Sequence, residues 1–276
     1  MAIHSIHDTA TLNNGVEMPW FGLGVFKAPN DQELVDAILT AFDAGYRHID
    51  TAMIYHNEQA VGRAIAEAKL AREEVFITTK LWNDDARTGA VAQAVDASLQ
   101  RLGLDYVDLY LVHWPVEPIL ATWEKMQKLY EQGKARAIGV SNFHVRHLDL
   151  LLDKADVPPA VNQCEFHPYL QQPDLRLHCL EKNVQFEAWT PIMRGAANDE
   201  PVLQDLAGKY RKTPVQVVLR WDLQHGVATI PKSVHADRIR SNADVFDFEL
   251  ADEDMAAIDR LHKPKRYGPD PDNFSF

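Results

Sequence analysis

Val75-Phe-Ile-Thr-Thr-Lys-Leu81 and Tyr106-Val-Asp-Leu-Tyr-Leu-Val-His113 are two short apolar runs, each carrying a polar residue at its far end. Runs of this length, rich in β-branched and aromatic side chains, predict buried strands. Between them, apolar residues recur at helical spacing from about Arg87 to Leu102. The same alternation extends in both directions. On the N-terminal side, a strand over Trp20–Phe26 leads to a helix over Asp31–Ala44 with Gly45 as its stop; Arg47–Asp50 is the next strand and Glu58 to about Lys69 the next helix. On the C-terminal side, a helix over Thr122–Glu131 stops at Gly133, and the strand Ala135–Asn142 follows. Ala160–Glu165, Val184–Thr190 and Val227–Ser233 are three more strands, with helices near Asp174–Glu181, Val202–Tyr210 and Val215–Gln224. Helices near Asp237–Val245 and Asp252–Leu261 complete the set.

Eight strands in alternation with helices imply an α/β protein with a parallel sheet, and eight strands close as a (β/α)8 TIM barrel. Thr9 to Met18 alternates apolar and polar residues about Asn14-Gly15 and predicts an N-terminal β-hairpin ahead of the barrel. From Lys263 onward the prolines predict an irregular C-terminal tail. The rival is a doubly wound nucleotide-binding sheet, which needs three glycines in its first strand-to-helix turn. Here Gly22-Leu-Gly24 is followed by Val-Phe-Lys, so the third is absent. The whole chain, 1–276, is expected to form a single domain.

Composition narrows the function. With 40 acidic and 28 basic residues the formal charge is −12, which argues against nucleic acid as a partner. No apolar run approaches the roughly 20 residues of a membrane span, and the opening residues lack the pattern of a signal peptide. Cys164 and Cys179 have no C-x-x-C spacing, which suits a reducing compartment, so the expected location is the cytoplasm. His144-x-x-His147 could share one helix face, but no third ligand lies within sequence reach, and no metal is expected.

In a barrel of this kind the active site lies at the carboxyl ends of the strands. The polar residues there are Asp50 with Tyr55 just beyond it, Lys80, His113, Ser141-Asn142, Gln163 and Lys232-Ser233. A tyrosine is a poor acid at neutral pH, but an adjacent ammonium stabilises its phenolate and lowers its pKa. Tyr55 beside Lys80 would make such an acid, Asp50 would hold the lysine, and His113 would orient a carbonyl oxygen. The set lacks a reductant or nucleophile.

Three longer motifs supply the context. Gly45-Tyr-Arg-His-Ile-Asp-Thr-Ala with Glu58 and Val61-Gly62, Ile138-Gly-Val-Ser-Asn-Phe143, and Ile230-Pro-Lys-Ser-Val-His-Ala-Asp-Arg-Ile-Arg-Ser-Asn242 resemble, in order, the three signatures of the aldo-keto reductase family. The resemblance covers essentially the whole chain. It implies a (β/α)8 barrel and NADPH/NADP+ as the cofactor. It places the catalytic tetrad on Asp50, Tyr55, Lys80 and His113, with Tyr55 as proton donor. Nicotinamide contacts fall on Ser141, Asn142, Gln163 and Trp189, and adenosine 2′-phosphate contacts on Lys232, Ser233 and Arg238, with Asn242 near the adenine and Val234 a further cofactor-binding residue. Phe26, Trp82 and Trp114 would line the substrate pocket, with Asn273 and Phe274 contributing from the tail. The short loop from Pro115 to about Leu120 implies an open site. Ser241 stands where many relatives have glutamate, and Phe26 where many have tryptophan. The tail from Arg266 to Phe274 resembles that of bacterial members similar to 2,5-diketo-D-gluconate reductase, which implies small polar carbonyl substrates such as α-keto aldehydes or sugar-derived keto compounds. Such members are often monomers. The alternative on the same barrel is a nucleotide-sensing or structural protein with little turnover.

Overall fold

The computed structural model describes residues 3–276; residues 1 and 2 of the expected 1–276 domain lie outside the described residues. A hairpin of β1 (Thr9–Thr11) and β2 (Glu17–Pro19) comes first, then β3 (Gly22–Gly24), α1 (Gln32–Asp43), β4 (His48–Asp50) and α2 (Glu58–Glu67). Strand β5 (Phe76–Leu81), α3 (Asn83–Thr88), α4 (Val91–Leu102), β6 (Val107–Val112), α5 (Ile119–Glu131), β7 (Ala135–Ser141) and α6 (Val145–Leu152) follow. The chain continues through β8 (Val161–Glu165), α7 (Pro173–Glu181), β9 (Gln185–Trp189), α8 (Pro201–Tyr210), α9 (Pro214–Gln224), β10 (Ala228–Thr229), α10 (Ala236–Ala243) and α11 (Asp252–Asp259).

Strands β3 to β10 pair in sequence order. The Thr229 N–H donates to Trp20 O at 2.9 Å and the Gly24 N–H to Pro231 O at 3.2 Å, which joins β3 to β10 and closes the sheet as the alternation predicts. Every residue of β5 and β6 is buried. That burial is what a strand with packed side chains inside the barrel and helices outside it must show. Helix α1 lays Leu34, Val35, Ile38 and Phe42 against the sheet, and its first turn is held by Asp31, whose Oδ1 accepts from the Glu33 N–H at 2.9 Å.

The hairpin covers the amino ends of the strands. Asn13 Nδ2 donates to Pro159 O and Asn14 Nδ2 to Arg136 O, both at 2.9 Å, and both acceptors lie where β8 and β7 begin. Among the described residues no helix is long and apolar enough to cross a membrane.

Four details depart from the periodicity. The helix expected from Arg87 to Leu102 is two helices, because Gly89 takes a φ of +73° and its N–H returns to Ala86 O at 3.1 Å, ending α3. The last barrel strand shrinks to Ala228–Thr229, since Pro231 has no N–H to extend the ladder. Helix α6 starts without the usual Ser, Thr, Asp or Asn; instead the His144 N–H donates to His147 Nδ1 at 3.1 Å. A 3-10 stretch over Met193–Asp199, kinked at Arg194 and Gly195, has no signal in the spacing of apolar residues.

Candidate active site

The carboxyl ends of β4, β5 and β6 bring Asp50, Lys80 and His113 together. Lys80 is fully buried, so its ammonium must be satisfied inside the protein. Its Nζ donates to Asp50 Oδ1 at 2.6 Å and to Thr51 O at 2.9 Å. Tyr55 ends a short 3-10 turn, Met53–Tyr55, closed by His56 at a φ of 56°. The turn places the Tyr55 ring centroid 5.1 Å from Lys80 Nζ and 5.8 Å from the His113 ring.

The electrostatics differ from the expectation in one respect. Burial raises the Tyr55 pKa more than the Lys80 ammonium lowers it, and Asp50 raises it further, so the phenol stays above its ordinary value. The ammonium offsets burial without overcoming it. Lys80 itself is held above its ordinary value: burial disfavours its charge, but Asp50 and Tyr55 outweigh that. Burial, and then Lys80, push the His113 pKa well below the usual histidine range, and its Nδ1 is buried without a partner. The imidazole is therefore neutral at pH 7.

Beside this group, β7, β8 and β9 bring Ser141, Asn142, Gln163 and Trp189 into one network. Asn142 takes a φ of 65°, a left-handed conformation that asparagine tolerates better than most residues. From there its Nδ2 donates to His113 O at 3.0 Å, and its Oδ1 accepts from Trp189 Nε1 at 2.9 Å. Ser141 Oγ donates to Gln163 O at 2.8 Å. Gln163 Nε2 donates to Asp50 Oδ2 at 2.7 Å, a bond between strands on opposite sides of the barrel, so the two halves of the site meet within its interior.

Lys232, Ser233 and Val234 lie on the loop between β10 and α10, and Arg238 and Asn242 lie on α10. Lys232 and Arg238 are exposed, whereas Ser233 and Asn242 are buried. Two exposed cations thus flank the start of α10 in the chain, residue types suited to a phosphate.

The aromatic residues build a wall. Phe26 is 49% exposed and packs on Tyr55 with ring centroids 4.9 Å apart, so it is no core residue. Trp82 lies edge-on to His113 at 5.3 Å, and the Phe276 ring stacks on Trp82 at 5.8 Å. Phe274 packs on Trp114 at 5.0 Å. Asn273 is exposed. The tail therefore packs on the aromatic side of the site, at Trp82 and Trp114. It is pinned there by Glu165, whose carboxylate accepts from the Tyr267 N–H at 2.5 Å and the Gly268 N–H at 3.1 Å. Gly268 lies so close to Trp189 that a Cβ would stand 2.3 Å from its ring.

Sequence spacing missed Glu165 and Glu187. Glu187 is a carboxylate in the middle of β9, and Glu165 is the polar last residue of β8, at the same carboxyl rim as Asp50 and Lys80; those positions were the available signal. The fold also brings Asp270 and Asp272 beside His144, completing a possible three-ligand group that sequence distance hid. Asp272, however, is engaged by Arg146 Nη2 at 2.6 Å and His144 Nδ1 at 2.8 Å, so the cluster acts as a charged clasp on the tail.

Comparison with known proteins covers the same barrel from end to end. The chain is 54% identical over 273 residues to glyoxal reductase of Bacillus subtilis strain 168, covering 99% of each. It is 46% identical over 268 residues to methylglyoxal reductase DkgA of Escherichia coli K12, covering 95% of this chain and 96% of that one. The Bombyx mori aldo-keto reductase AKR2E4, solved in complex with NADP, superposes with a TM-score of 0.90 at 38% identity over 98% of this chain and 97% of that one. Residues 18–263, which hold every strand of the barrel and the loops just described, match the model of the aldo/keto reductase family, and the chain belongs to that family.

Proposed function

We propose that the chain reduces small aldehydes and ketones to alcohols with NADPH, with Tyr55 as the proton donor. The observation that carries this reading is the line Asp50–Lys80–Tyr55 beside a neutral His113. Lys80 has three hydrogens; Asp50 and Thr51 take two, and the third is free to support the tyrosine oxygen. A phenol that keeps its proton across the neutral range is an acid ready to give it to a carbonyl oxygen as negative charge develops there, with the ammonium stabilising the phenolate left behind. A neutral His113 can donate one N–H to the same oxygen and fix its position.

The residues present fit the cofactor. Lys232 and Arg238 offer exposed cations for a 2′-phosphate at the start of α10, and guanidinium geometry suits that group. Asn242 and Ser233 lie beside them, with Val234 between loop and core. Trp189 offers a flat ring, and Ser141, Asn142 and Gln163 offer polar atoms for a carboxamide. When bound, the reduced nicotinamide supplies the hydride. Phe26, Trp82 and Trp114 then shape the space left for the substrate, which suits a compact molecule. The glyoxal and methylglyoxal reductases among the relatives support α-dicarbonyls and α-keto aldehydes as the substrate class, with sugar-derived keto compounds as larger members. Cys164 and Cys179 are free and buried, which suits a reducing compartment, and the proposal places the enzyme in the cytoplasm.

The test is NADPH consumption with glyoxal, methylglyoxal and a panel of keto sugars, for wild type and Tyr55→Phe. Turnover by wild type and a fall of about 100-fold or more in the variant are expected. Equal, slow rates in both would show that the barrel binds nucleotide without catalysing reduction.

A further inference from the structure

Glu187 stands in the middle of β9, projects into the barrel and is fully buried. Its Oε2 accepts from Gln163 Nε2 at 2.7 Å, and the same nitrogen donates to Asp50 Oδ2 at 2.7 Å. An amide nitrogen has two hydrogens, so both are committed. Gln163 is thereby held with its nitrogen between two carboxyl groups and its oxygen turned away from them; among the described residues no hydrogen bond is made to that oxygen. The other oxygen of Glu187, Oε1, also lacks a partner and faces His48 Nδ1, likewise unpartnered, at 3.7 Å.

We propose that Glu187 is a positioning residue for cofactor binding: by accepting from Gln163 it locks that amide so that the carbonyl oxygen is the atom presented to the nicotinamide carboxamide. This rests on the assignment of Gln163 to the carboxamide made above. The lock is needed because the terminal torsion of glutamine is broad and nearly two-fold, so oxygen and nitrogen exchange places easily unless the surroundings distinguish them. A flipped Gln163 would set its oxygen against the Asp50 carboxylate and leave Glu187 without a donor. With Glu187 removed, Asp50 alone would hold the amide.

Glu187 does this as a neutral acid. Burial first, and then Asp50, push its pKa up to about 8 against the lowering effects of Gln163 and Lys80. The charged and titratable groups facing it are Asp50 and His48 from β4 and Lys80 from β5. Of these, His48 is kept uncharged by burial and by Lys80, at about 3, and Lys80 remains an ammonium. A protonated Glu187 can accept from Gln163 on one oxygen while a hydroxyl faces the ring of His48, with no second anion beside Asp50.

The experiment compares the binding of NADPH and of 2′-phospho-ADP-ribose, which lacks the nicotinamide, by quenching of tryptophan fluorescence. The proteins are wild type, Glu187→Gln, Glu187→Met, Gln163→Ala and the Glu187→Met/Gln163→Ala double variant. Gln163→Ala and Glu187→Met are each expected to weaken NADPH roughly tenfold, the scale of one buried hydrogen bond, and to leave the fragment unchanged. The double variant should be no weaker than Gln163→Ala, and Glu187→Gln, which keeps the acceptor, should stay within about twofold of wild type. If Gln163→Ala leaves NADPH binding intact, the assignment of Gln163 fails and the inference with it. If Gln163→Ala weakens NADPH and Glu187→Met does not, the role of Glu187 alone is overturned. It is also overturned if Glu187→Met weakens both ligands equally or if the two losses add. Should Glu187→Met not fold, pH decides: the ratio of NADPH to NADP+ affinity should bend near pH 8 in wild type, as ionised Glu187 favours the positive oxidised ring, and stay flat in Glu187→Gln. A bend of equal size in both proteins would overturn the proposal.

Discussion

Asp50 and Asp108 are both buried aspartates on barrel strands, both paired with cations, at opposite ends of the barrel. Near the start of β6, Asp108 accepts from Arg72 Nη2 at 2.7 Å, from the Ile77 N–H at 2.8 Å and from Arg136 Nη1 at 2.9 Å. The arginines reach in from the rim, with 18% and 43% of their side chains exposed. At the end of β4, Asp50 meets a lysine with none of its side chain exposed. The amino end thus closes its charge with guanidinium groups that remain partly hydrated and a backbone amide, leaving neither Asp108 oxygen without a donor. The carboxyl end buries its cation completely and leaves one ammonium hydrogen over, next to a tyrosine. Equal-looking ion pairs therefore serve different ends. One holds strands together, and the other, on the function proposed above, sustains a reactive group at the cost of burying a charge.

The largest effects should separate the two. Lys80→Met leaves Asp50 without its cation, and removing one partner of a buried pair costs about 3–5 kcal/mol. It also removes the support for the Tyr55 phenolate, so turnover per folded molecule should fall about 100-fold or more. Asp108→Asn should destabilise the protein by a comparable amount, about 3 kcal/mol, with turnover per folded molecule unchanged. Urea melts alongside NADPH consumption measure both quantities. A turnover loss in Asp108→Asn matching that in Lys80→Met would erase the distinction between the ends.

The pH profile sharpens the same contrast. A general acid works while it holds its proton, so with Tyr55 in the proposed role carbonyl reduction should persist up to its raised pKa and fall as pH rises through it. Because burial and Lys80 hold His113 well below the usual histidine range, kcat/KM for carbonyl reduction should show no step near pH 6.5. A step there that disappears in His113→Gln would mean that the imidazole is charged in the working enzyme.

Both ends were partly legible in the sequence, for different reasons. Lys80 and His113 stood out because each is a polar residue at the end of an apolar run, and the barrel places such residues on one rim. Short continuous apolar runs and period-3.6 spacing carried the element order, since barrel strands are buried on both faces and helices on one. The break at Gly89 was hidden because a glycine in a helical pattern can be either tolerated or terminal. Glu187, Glu165 and Asp108 were not singled out. The partners of Glu187 and Asp108 lie on other elements and those of Glu165 on the tail and at His167, and a carboxylate on a buried strand shows that something must satisfy it without showing what. The raised pKa of Tyr55 was out of reach for the same reason: residue types indicate an ammonium beside a phenol, but only the packing determines whether desolvation is larger.

Arg238 offers a smaller effect at the same end. It is exposed and carries charge beside the start of α10 without a salt bridge among the described residues, so a 2′-phosphate would be its main partner. Arg238→Ala should weaken NADPH roughly 10- to 100-fold, the range of a charge-assisted hydrogen bond, and leave NADH binding and thermal stability unchanged. Titration of both cofactors checks this. Equal loss for the two would place Arg238 outside the phosphate site.

The smallest effect tests whether position or unused bonding capacity makes a residue functional. Thr213 and Gln216 lie at the start of α9, and like Asp108 they are fully engaged. Thr213 Oγ1 accepts from the Gln216 N–H at 3.2 Å, and Gln216 Oε1 accepts from the Thr213 N–H at 2.8 Å. Gln216 Nε2 also donates to Ser241 O and Asp244 O, both at 2.9 Å, holding the end of α10 that carries Asn242. Thr213→Ala removes only a helix cap and should cost about 1 kcal/mol, a fall in Tm of about 2–4 °C, with NADPH affinity unaltered. Gln216→Ala also removes two bonds to the carboxyl end of α10, where Ser241 O keeps the Asp244 N–H and Asp244 O keeps Lys212 Nζ as donors, so it should cost somewhat more, about 1–3 kcal/mol, and weaken NADPH a few-fold. The difference in NADPH affinity between these two variants is the measurement that matters. If both variants left it unchanged, α10 would hold its cofactor contacts without support from α9. If both lowered it equally, a satisfied cap would be influencing function, and the division between closed and unsatisfied groups would need redrawing.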